Sequence, residues 1–290
     1  MPTISDSDIS SKGAAVRDKA VEKWMEMEAG FAFPEMEGAV QDAFAYIVPL
    51  FEMYSHRDPD RVDAMRDYLA DTRTTLANPV SEGIDTAKGQ IEDWRGAAAE
   101  NFWGDYLEPF PQINTNQLAF IDVLDASLQG VKSMLEESRK NIVDIGDNTI
   151  DALDGLEDGG GGWGLALTVV AVVVGVVGAA FTGGTSAVAA VSFALASGAA
   201  SIGASVAAME EQEIHGEDVE EVVNSMVEAH NDLWEMRNTV EEDLAELIGQ
   251  DVDMTQSNPD YFRPPIPDIA SFGASDAGNQ EILEDFEPPA

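Results

Sequence analysis

Apolar residues recur at intervals of three and four along most of the chain, the spacing that places them on one face of an α-helix. Two such stretches occupy residues 13–30 and 35–56, and Pro34 lies between them. A third helical stretch follows from residue 58, with a break predicted at Asn78-Pro79 because proline disfavours helix in the residue before it. No run of alternating apolar and polar residues is long enough to predict a sheet. The pattern therefore predicts an all-α fold.

Two longer segments carry a seam of residues that step alternately by three and four positions, which predicts long helices that pack lengthwise as in a coiled coil. His230 and Arg237 are polar positions on the second seam, where such residues more often fix the register of packing than perform chemistry. The second helix is expected to stop at Gly249. The first seam consists of Ile121, Leu124, Leu128, Val131, Leu135, Ser138, Ile142, Ile145, Thr149, Ala152 and Leu156, and the second of Val219, Val223, Met226, His230, Leu233, Arg237, Val240, Leu244 and Leu247.

Pattern and composition divide the chain into five parts. These are N-terminal helices in 1–57, a Trp-x-Gly helical hairpin in 58–157, an uncharged apolar hairpin in 158–209, an acidic amphipathic helix in 210–250 and a tail in 251–290. The tail is rich in proline, glycine and acidic residues, which predicts disorder. The expected architecture is a long antiparallel helical hairpin and bundle with a central apolar hairpin, followed by this disordered acidic, proline-rich tail.

The central hairpin is the sharpest change in composition. No charged residue occurs from Gly159 to Met209, although 24% of the chain is charged. The valine-rich first arm, 165–181, is just long enough to span a bilayer, and Gly183 and Gly184 supply the turn to a second arm. An all-round apolar hairpin either inserts into a membrane or forms the buried centre of a soluble bundle. The sequence leaves both interpretations open.

Charge and residue content exclude several classes of function. The chain has 55 acidic and 15 basic residues and a formal net charge of -40, which repels phosphate groups and excludes direct nucleic acid binding. It has no cysteine, so thiolate catalysis and thiolate metal sites are excluded. His56, His215 and His230 do not have the spacing of metal ligands. We therefore predict no catalytic, metal-binding or cofactor-binding residues, and no enzymatic activity.

The tripeptide Trp94-Arg95-Gly96 lies between two predicted helices. Gly96 permits backbone angles that end a helix, and Trp94 is expected to be buried between antiparallel helices. Three alanines follow, then Phe102, and a Pro-Phe-Pro run occupies 109–111. With this run the sequence resembles the WXG-type helical hairpin family of type VII (ESX) secretion substrates, in its long actinobacterial form. The resemblance covers roughly residues 60–157.

The resemblance implies export as a folded helical hairpin that pairs with a second hairpin in a four-helix bundle, and it does not imply catalysis. The chain departs from the family in two respects. It continues well beyond the hairpin, and the Tyr-x-x-x-Asp/Glu export signal expected after the second helix is missing. Tyr54 and Asp58 match that spacing, but they precede the hairpin, and we interpret the match as a coincidence at a helix end.

Three hypotheses for the function remain. The leading one is a non-enzymatic type VII secretion-associated substrate or effector that acts by packing its helices with those of a partner. Insertion of the apolar hairpin into a membrane is left open as a second way in which such an effector acts. The alternatives are a resident membrane protein anchored by the two-helix hairpin, and a soluble structural bundle in a larger assembly. The expected partner is a helical protein or a second copy of the chain. No Sec-type signal peptide is expected at the N-terminus, so we expect secretion by a non-Sec route or association with a membrane.

Overall fold

The computed structural model describes residues 4–27, 34–77, 79–156, 165–167 and 212–263. The chain groups into two compact units, each built from separate stretches of sequence. Unit 1 draws on Met1–Asp63, Gln129–Val177 and Ala199–Ala245, and unit 2 on Ala64–Leu128, Gly178–Gly198 and Glu246–Ala290.

Helices account for almost all regular structure in the described residues, which confirms the predicted all-α fold. The helices are α1 (Asp6–Met27), α2 (Pro34–Ala43), α3 (Ile47–Glu52), α4 (Asp60–Ala77), α5 (Pro79–Gln90), α6 (Ala97–Asn101), a π-helical segment (Phe102–Leu107), α7 (Phe110–Gly155), α8 (Val219–Ser257) and a 3-10 turn (Pro259–Tyr261). Two three-residue strands, β1 (Leu165–Leu167) and β2 (Gln212–Ile214), pair antiparallel.

Proline sets two of the helix boundaries. Pro34 and Pro79 are the first residues of α2 and α5, a position at which the missing backbone N–H is not needed by the helix. The predicted break at Asn78 is confirmed, because α4 ends at Ala77 and α5 begins at Pro79.

The segment at the start of the predicted apolar hairpin is extended where a helix was expected. Leu165–Leu167 forms β1, with Leu165 opposite Ile214 of β2, so the prediction of a helical arm from Leu165 is wrong for these three residues. The antiparallel pairing uses extended backbone on both sides. The remainder of the predicted hairpin, including its turn at Gly183 and Gly184, lies outside the described residues.

The last long helix, α8, begins and ends later than its predicted range of 210–250. Its start is fixed by Asp218, whose carboxylate accepts a hydrogen bond of 2.9 Å from the backbone N–H of Glu221, as an N-cap residue does. The predicted stop at Gly249 is wrong, because one glycine costs a helix only about 1 kcal/mol. The helix continues to Ser257, and Pro259 follows.

Unit 1 packs α1 alongside α7 in the same direction. Lys12 pairs with Asp147, and seven residues further on both helices Lys19 Nζ lies 2.7 Å from Asp154. The helices α1 and α3 also pack together, and Phe51 of α3 is fully buried. These contacts make α7 a central element of unit 1.

The predicted seam positions are buried along almost all of the α8 seam but only in part of the α7 seam. Every predicted seam residue of α8 except Leu247 is buried, which confirms that seam. In both helices the buried face is broader than the seam, since Val123, Met134 and Asn141 of α7 and Val222, Ala229 and Met236 of α8 are buried beside it. The predicted α7 seam residues that are buried are Ile121, Leu135, Ser138, Ile142, Ile145 and Thr149.

In unit 2, the end of the described chain packs on the start of α7. Asn116 Nδ2 donates to the carbonyl of Tyr261 at 2.9 Å, and Gln117 Nε2 donates to the carbonyl of Phe262 at 2.7 Å. The ring of Phe262 meets that of Phe120 edge-on, with 6.2 Å between centroids. The predicted disordered tail of 251–290 is therefore ordered as far as residue 263, and 264–290 lies outside the described residues.

Ion pairs show how α4 runs along α7 in unit 2. Arg66 Nε lies 2.8 Å from the carboxylate of Asp125, and Arg73 Nε lies 2.6 Å from that of Asp122. Residue numbers rise on α4 as they fall on α7, so these parts of the two helices are antiparallel.

Candidate functional site

The Trp-x-Gly turn connects α5 to α6 in unit 2. The backbone N–H of Trp94 donates to the carbonyl of Ile91 at 3.0 Å, which closes a turn after α5. Gly96 has a φ of 107°, a conformation that side chains other than that of glycine rarely adopt. Its carbonyl accepts a hydrogen bond from Glu100 at 3.1 Å and so begins α6. The sequence therefore identified the turn and the reason for its glycine.

Four aromatic rings form a continuous row from this turn into α7. The ring centroids of Trp94 and Phe102 are 6.5 Å apart, those of Phe102 and Tyr106 are 5.2 Å apart and stacked, and those of Tyr106 and Phe110 are 6.2 Å apart. Phe102, Tyr106 and Phe110 are spaced by four residues, so they fall on one side of the helical backbone. We call Trp94, Phe102, Tyr106 and Phe110 the turn aromatic row.

Trp94 does not lie in a core. Its side chain is 45% exposed, so the prediction that it is buried between antiparallel helices is wrong. The cause is the length of the neighbouring elements: α6 has five residues and is followed by a six-residue π-helical segment. The indole thus contacts Phe102 at its side and keeps much of its surface in solvent.

Other large apolar side chains are exposed in the same unit. Trp103 is exposed beside Phe102, and on α4 Met65 and Tyr68 are exposed, Tyr68 to 73%. Single exposed apolar residues are ordinary on protein surfaces, but exposed tryptophan is enriched where proteins bind one another. The π-helical segment adds to this assignment, because such segments are rare and often mark functional positions. The turn aromatic row is therefore the candidate interaction site.

The polar seam residues of α8 lie in a second environment, inside unit 1. Arg237 is only 2% exposed, and its guanidinium carbon lies 4.9 Å from the ring centroid of Trp234 and 5.8 Å from that of Tyr54. Its Nε is buried without a hydrogen-bond partner. Burial lowers the pKa of Arg237, and the nearby charge of Arg57 lowers it further, whereas Glu241 opposes the shift. The guanidinium is thus held by aromatic faces rather than by a carboxylate.

His230 lies on the same face of α8, about two turns before Arg237. Its Nε2 lies 3.2 Å from the carbonyl oxygen of Leu50, and its ring meets Tyr54 edge-on at 5.6 Å between centroids. The hydroxyl of Tyr54 donates to the backbone carbonyl of His230 at 3.3 Å. Burial lowers the pKa of His230, which keeps the imidazole neutral at pH 7. These contacts agree with the predicted role of a seam position that fixes packing.

Two residues of this interior were not identified from the sequence as structural. The sequence draws attention to Tyr54 only through its spacing to Asp58. In the structure its ring packs on α8, and burial raises the pKa of its phenol. Arg139 is buried and its two Nη atoms donate to the carbonyls of Ile4, Ser55 and Arg57 at 2.8 to 3.1 Å. The only available signal was the position of Arg139 next to Ser138 of the α7 seam.

Other candidate sites receive little support from the described residues. His56, His215 and His230 join no group of three or more acidic or histidine side chains that could hold a metal ion within the described ranges. No helix in the part of the chain that the structure describes is both long and apolar enough to cross a membrane. The predicted apolar hairpin around Gly183 and Gly184 lies outside the described residues.

Comparison of the chain with protein-family models, curated proteins and solved structures found no match in any of the three. The assignment of the turn aromatic row therefore depends on its geometry and on the sequence pattern.

Proposed function

We propose that this protein is a non-enzymatic, type VII secretion-associated substrate or effector that acts by packing its helices against a helical protein partner. The observation that carries the proposal is the exposure of Trp94 beside Phe102 at a turn that requires Gly96. An indole has only two side-chain torsions to restrict, so an exposed one loses little conformational entropy when it is covered, which makes it an effective anchor.

The charge of the protein favours a helical partner with basic or neutral residues around its contact surface. The chain has a formal net charge of -40, so a second acidic surface would be repelled at low salt. A second copy of the chain is for that reason a weaker candidate than a separate protein. In an interface of this kind, the apolar contact at the turn aromatic row, which includes Trp94, would supply the affinity. The charged residues around that contact would supply the selectivity.

The test compares two variants that each remove one large, partly exposed apolar side chain, from different units. Trp94→Ala should lower affinity for a co-expressed small helical-hairpin partner by more than about 30-fold, the loss expected of an interface anchor. Because Trp94 is half-exposed, the same change should lower the free energy of unfolding by only about 1 to 2 kcal/mol, well below the cost at a buried site. Met53, 38% exposed in unit 1, supplies the control Met53→Ala, which should leave that affinity unchanged.

Export is tested in the same variants. In a host with a working type VII system, Trp94→Ala should lower the amount of protein in the medium without lowering its synthesis, and Met53→Ala should not. Equal amounts in the medium of intact and type VII-deficient hosts would contradict the proposal, as would a Trp94→Ala variant that binds its partner normally.

A membrane role for the uncharged hairpin remains the alternative, supported by the absence of charge from Gly159 to Met209. Flotation of the intact protein with liposomes separates the hypotheses. If the hairpin inserts, Val173→Asp should cost about 2.5 to 3.5 kcal/mol of insertion and release the protein from the vesicles. A protein found in a detergent-requiring pellet would favour a resident membrane protein, and a stable soluble complex would favour a structural bundle.

A further inference from the structure

An open groove of about 500 Å³ lies on unit 1, formed by α1, α2 and α8. Its floor is apolar, because Val40, Phe44 and Val223 are buried there. Trp24 of α1 closes one side. A volume of this size is in the range of sites that hold ligands or inserted side chains.

One wall of the groove is an exposed stripe of α2. Met36, Ala39, Val40 and Ala43 recur at helical spacing along it, and Met36, Ala39 and Ala43 are exposed. Helices pack 8 to 10 Å apart according to the size of the side chains at the contact, so alanines at two successive turns allow a close approach. The wall is flanked by the larger Met36 at one end and Tyr46 at the other. Its shape is suited to a second helix.

The opposite rim is acidic. Glu220 and Asn224, one turn apart on α8, are exposed along it. The negative charge of Glu220 reaches the groove, since burial and then that charge raise the pKa of the Tyr46 phenol. The protein as a whole carries a formal charge of -40. A cationic group beside Glu220 is favoured by both the local and the total charge.

We propose that this groove binds an amphipathic, basic helix of a protein partner, whose apolar stripe packs on α2 and whose Lys or Arg side chain lies beside Glu220. The contact is independent of the one proposed at Trp94, because it lies in the other unit and needs a different chemistry. It gives the protein a second binding surface, selective for positive charge.

The test uses the full chain and a designed peptide of about 14 residues, four helical turns of leucine and lysine at amphipathic spacing. Fluorescence anisotropy of the labelled peptide should show binding that is lost when its lysines are replaced by glutamate or its leucines by serine. Ala43→Arg, which places bulk and positive charge in the groove, should weaken binding at least about ten-fold. Ala245→Arg makes the same change of charge at an exposed position of α8 and should leave binding unchanged. Circular dichroism confirms that both variants are folded.

A second pair of variants tests the acidic rim. Glu220→Gln should weaken peptide binding by about two- to five-fold, as expected for one exposed ion pair. Glu242→Gln, also exposed on α8 but away from the groove, should have no effect. If Ala43→Arg and Ala245→Arg bind the peptide equally, or Glu220→Gln and Glu242→Gln weaken it equally, the peptide is held by general charge alone and the proposal is overturned.

The occupant is identified with a photo-crosslinking amino acid at position 43 of the otherwise unchanged chain. Crosslinks to the added leucine–lysine peptide, absent when the same crosslinker is placed at position 245, support the proposal. Crosslinks that join two copies of the chain, or that stay within one chain when the peptide is in excess, overturn it in favour of self-association or of a segment of the chain itself.

Discussion

Gly13 of α1 offers a direct test of how tightly unit 1 is packed. A Cβ atom added at this position would lie 2.9 Å from Phe51 Cβ and 3.0 Å from Phe51 Cγ, closer than such atoms approach in real proteins. Phe51 Cβ is fixed to the backbone of α3, so the helices must separate to admit a methyl group. Overpacking of this kind costs about 1 to 3 kcal/mol, and the better helix propensity of alanine returns about 1 kcal/mol. We therefore expect Gly13→Ala to lower the free energy of unfolding by up to about 2 kcal/mol, and not to raise it.

Gly38 is the matched control. It lies in α2, and a Cβ atom added there would meet nothing within 4 Å. Gly38→Ala should therefore raise the free energy of unfolding by about 0.5 to 1 kcal/mol through helix propensity alone. Urea unfolding followed by circular dichroism measures both changes under the same conditions. If Gly13→Ala stabilises the protein as much as Gly38→Ala does, the close contact of α1 with Phe51 does not exist and the packing described for unit 1 is wrong.

Three further predictions follow from buried polar groups and from the total charge. Burial lowers the pKa of His230 below its ordinary 6.5, so the unfolded chain binds more protons than the folded chain as the pH falls through that value. The free energy of unfolding should therefore decrease towards pH 5.5, and it should decrease less in His230→Gln. Parallel curves of stability against pH for the two proteins would refute this. Arg139→Met removes the guanidinium that binds three backbone carbonyls and Asp6, and it should lower the free energy of unfolding by about 3 kcal/mol. Arg17→Met is the control, because among the described residues it loses only the bond to its neighbour Asp18. It should lower the free energy of unfolding by less than about 1 kcal/mol in the same urea assay. Raising NaCl from about 0.1 to about 1 M should raise the melting temperature, because screening relieves the repulsion among 55 acidic residues more than it weakens the exposed ion pairs. A lower melting temperature at the higher salt concentration would contradict this.

The part of the fold that could be predicted best from the sequence is the set of buried positions along the last long helix. Along α8, every predicted seam position up to Leu244 is buried, including the polar His230 and Arg237, but five residues outside the seam are buried as well: Val222, Ser225, Ala229, Met236 and Asp251. Along α7 the same rule was less complete. That helix has α1 beside it, joined by the pair of Lys12 with Asp147, and Phe51 close to Gly146. A helix with several neighbours buries more than one face, and a single seam cannot describe it.

Features that depend on contacts distant in sequence could not be predicted in this way. Tyr54 and Arg139 hold segments of unit 1 together through backbone carbonyls and rings that are far from them in the chain. Nothing in the local pattern distinguishes a buried arginine that binds carbonyls from one in solvent, because both occur in a helix among acidic residues. The β1 strand was missed for the same reason, since its partner lies in β2, beyond the apolar segment.

The error at Trp94 has a different origin, and it bears on the function. The prediction of burial assumed two long helices on either side of the turn, which would cover an indole between them. The structure has the turn and the required Gly96, but α6 is too short to provide a wall. The motif therefore places a large aromatic side chain at the surface of unit 2 instead of in its core. A surface position costs the folded chain little and leaves the indole free to be covered by another protein, so partner binding, rather than stability, is the property that Trp94→Ala should change most.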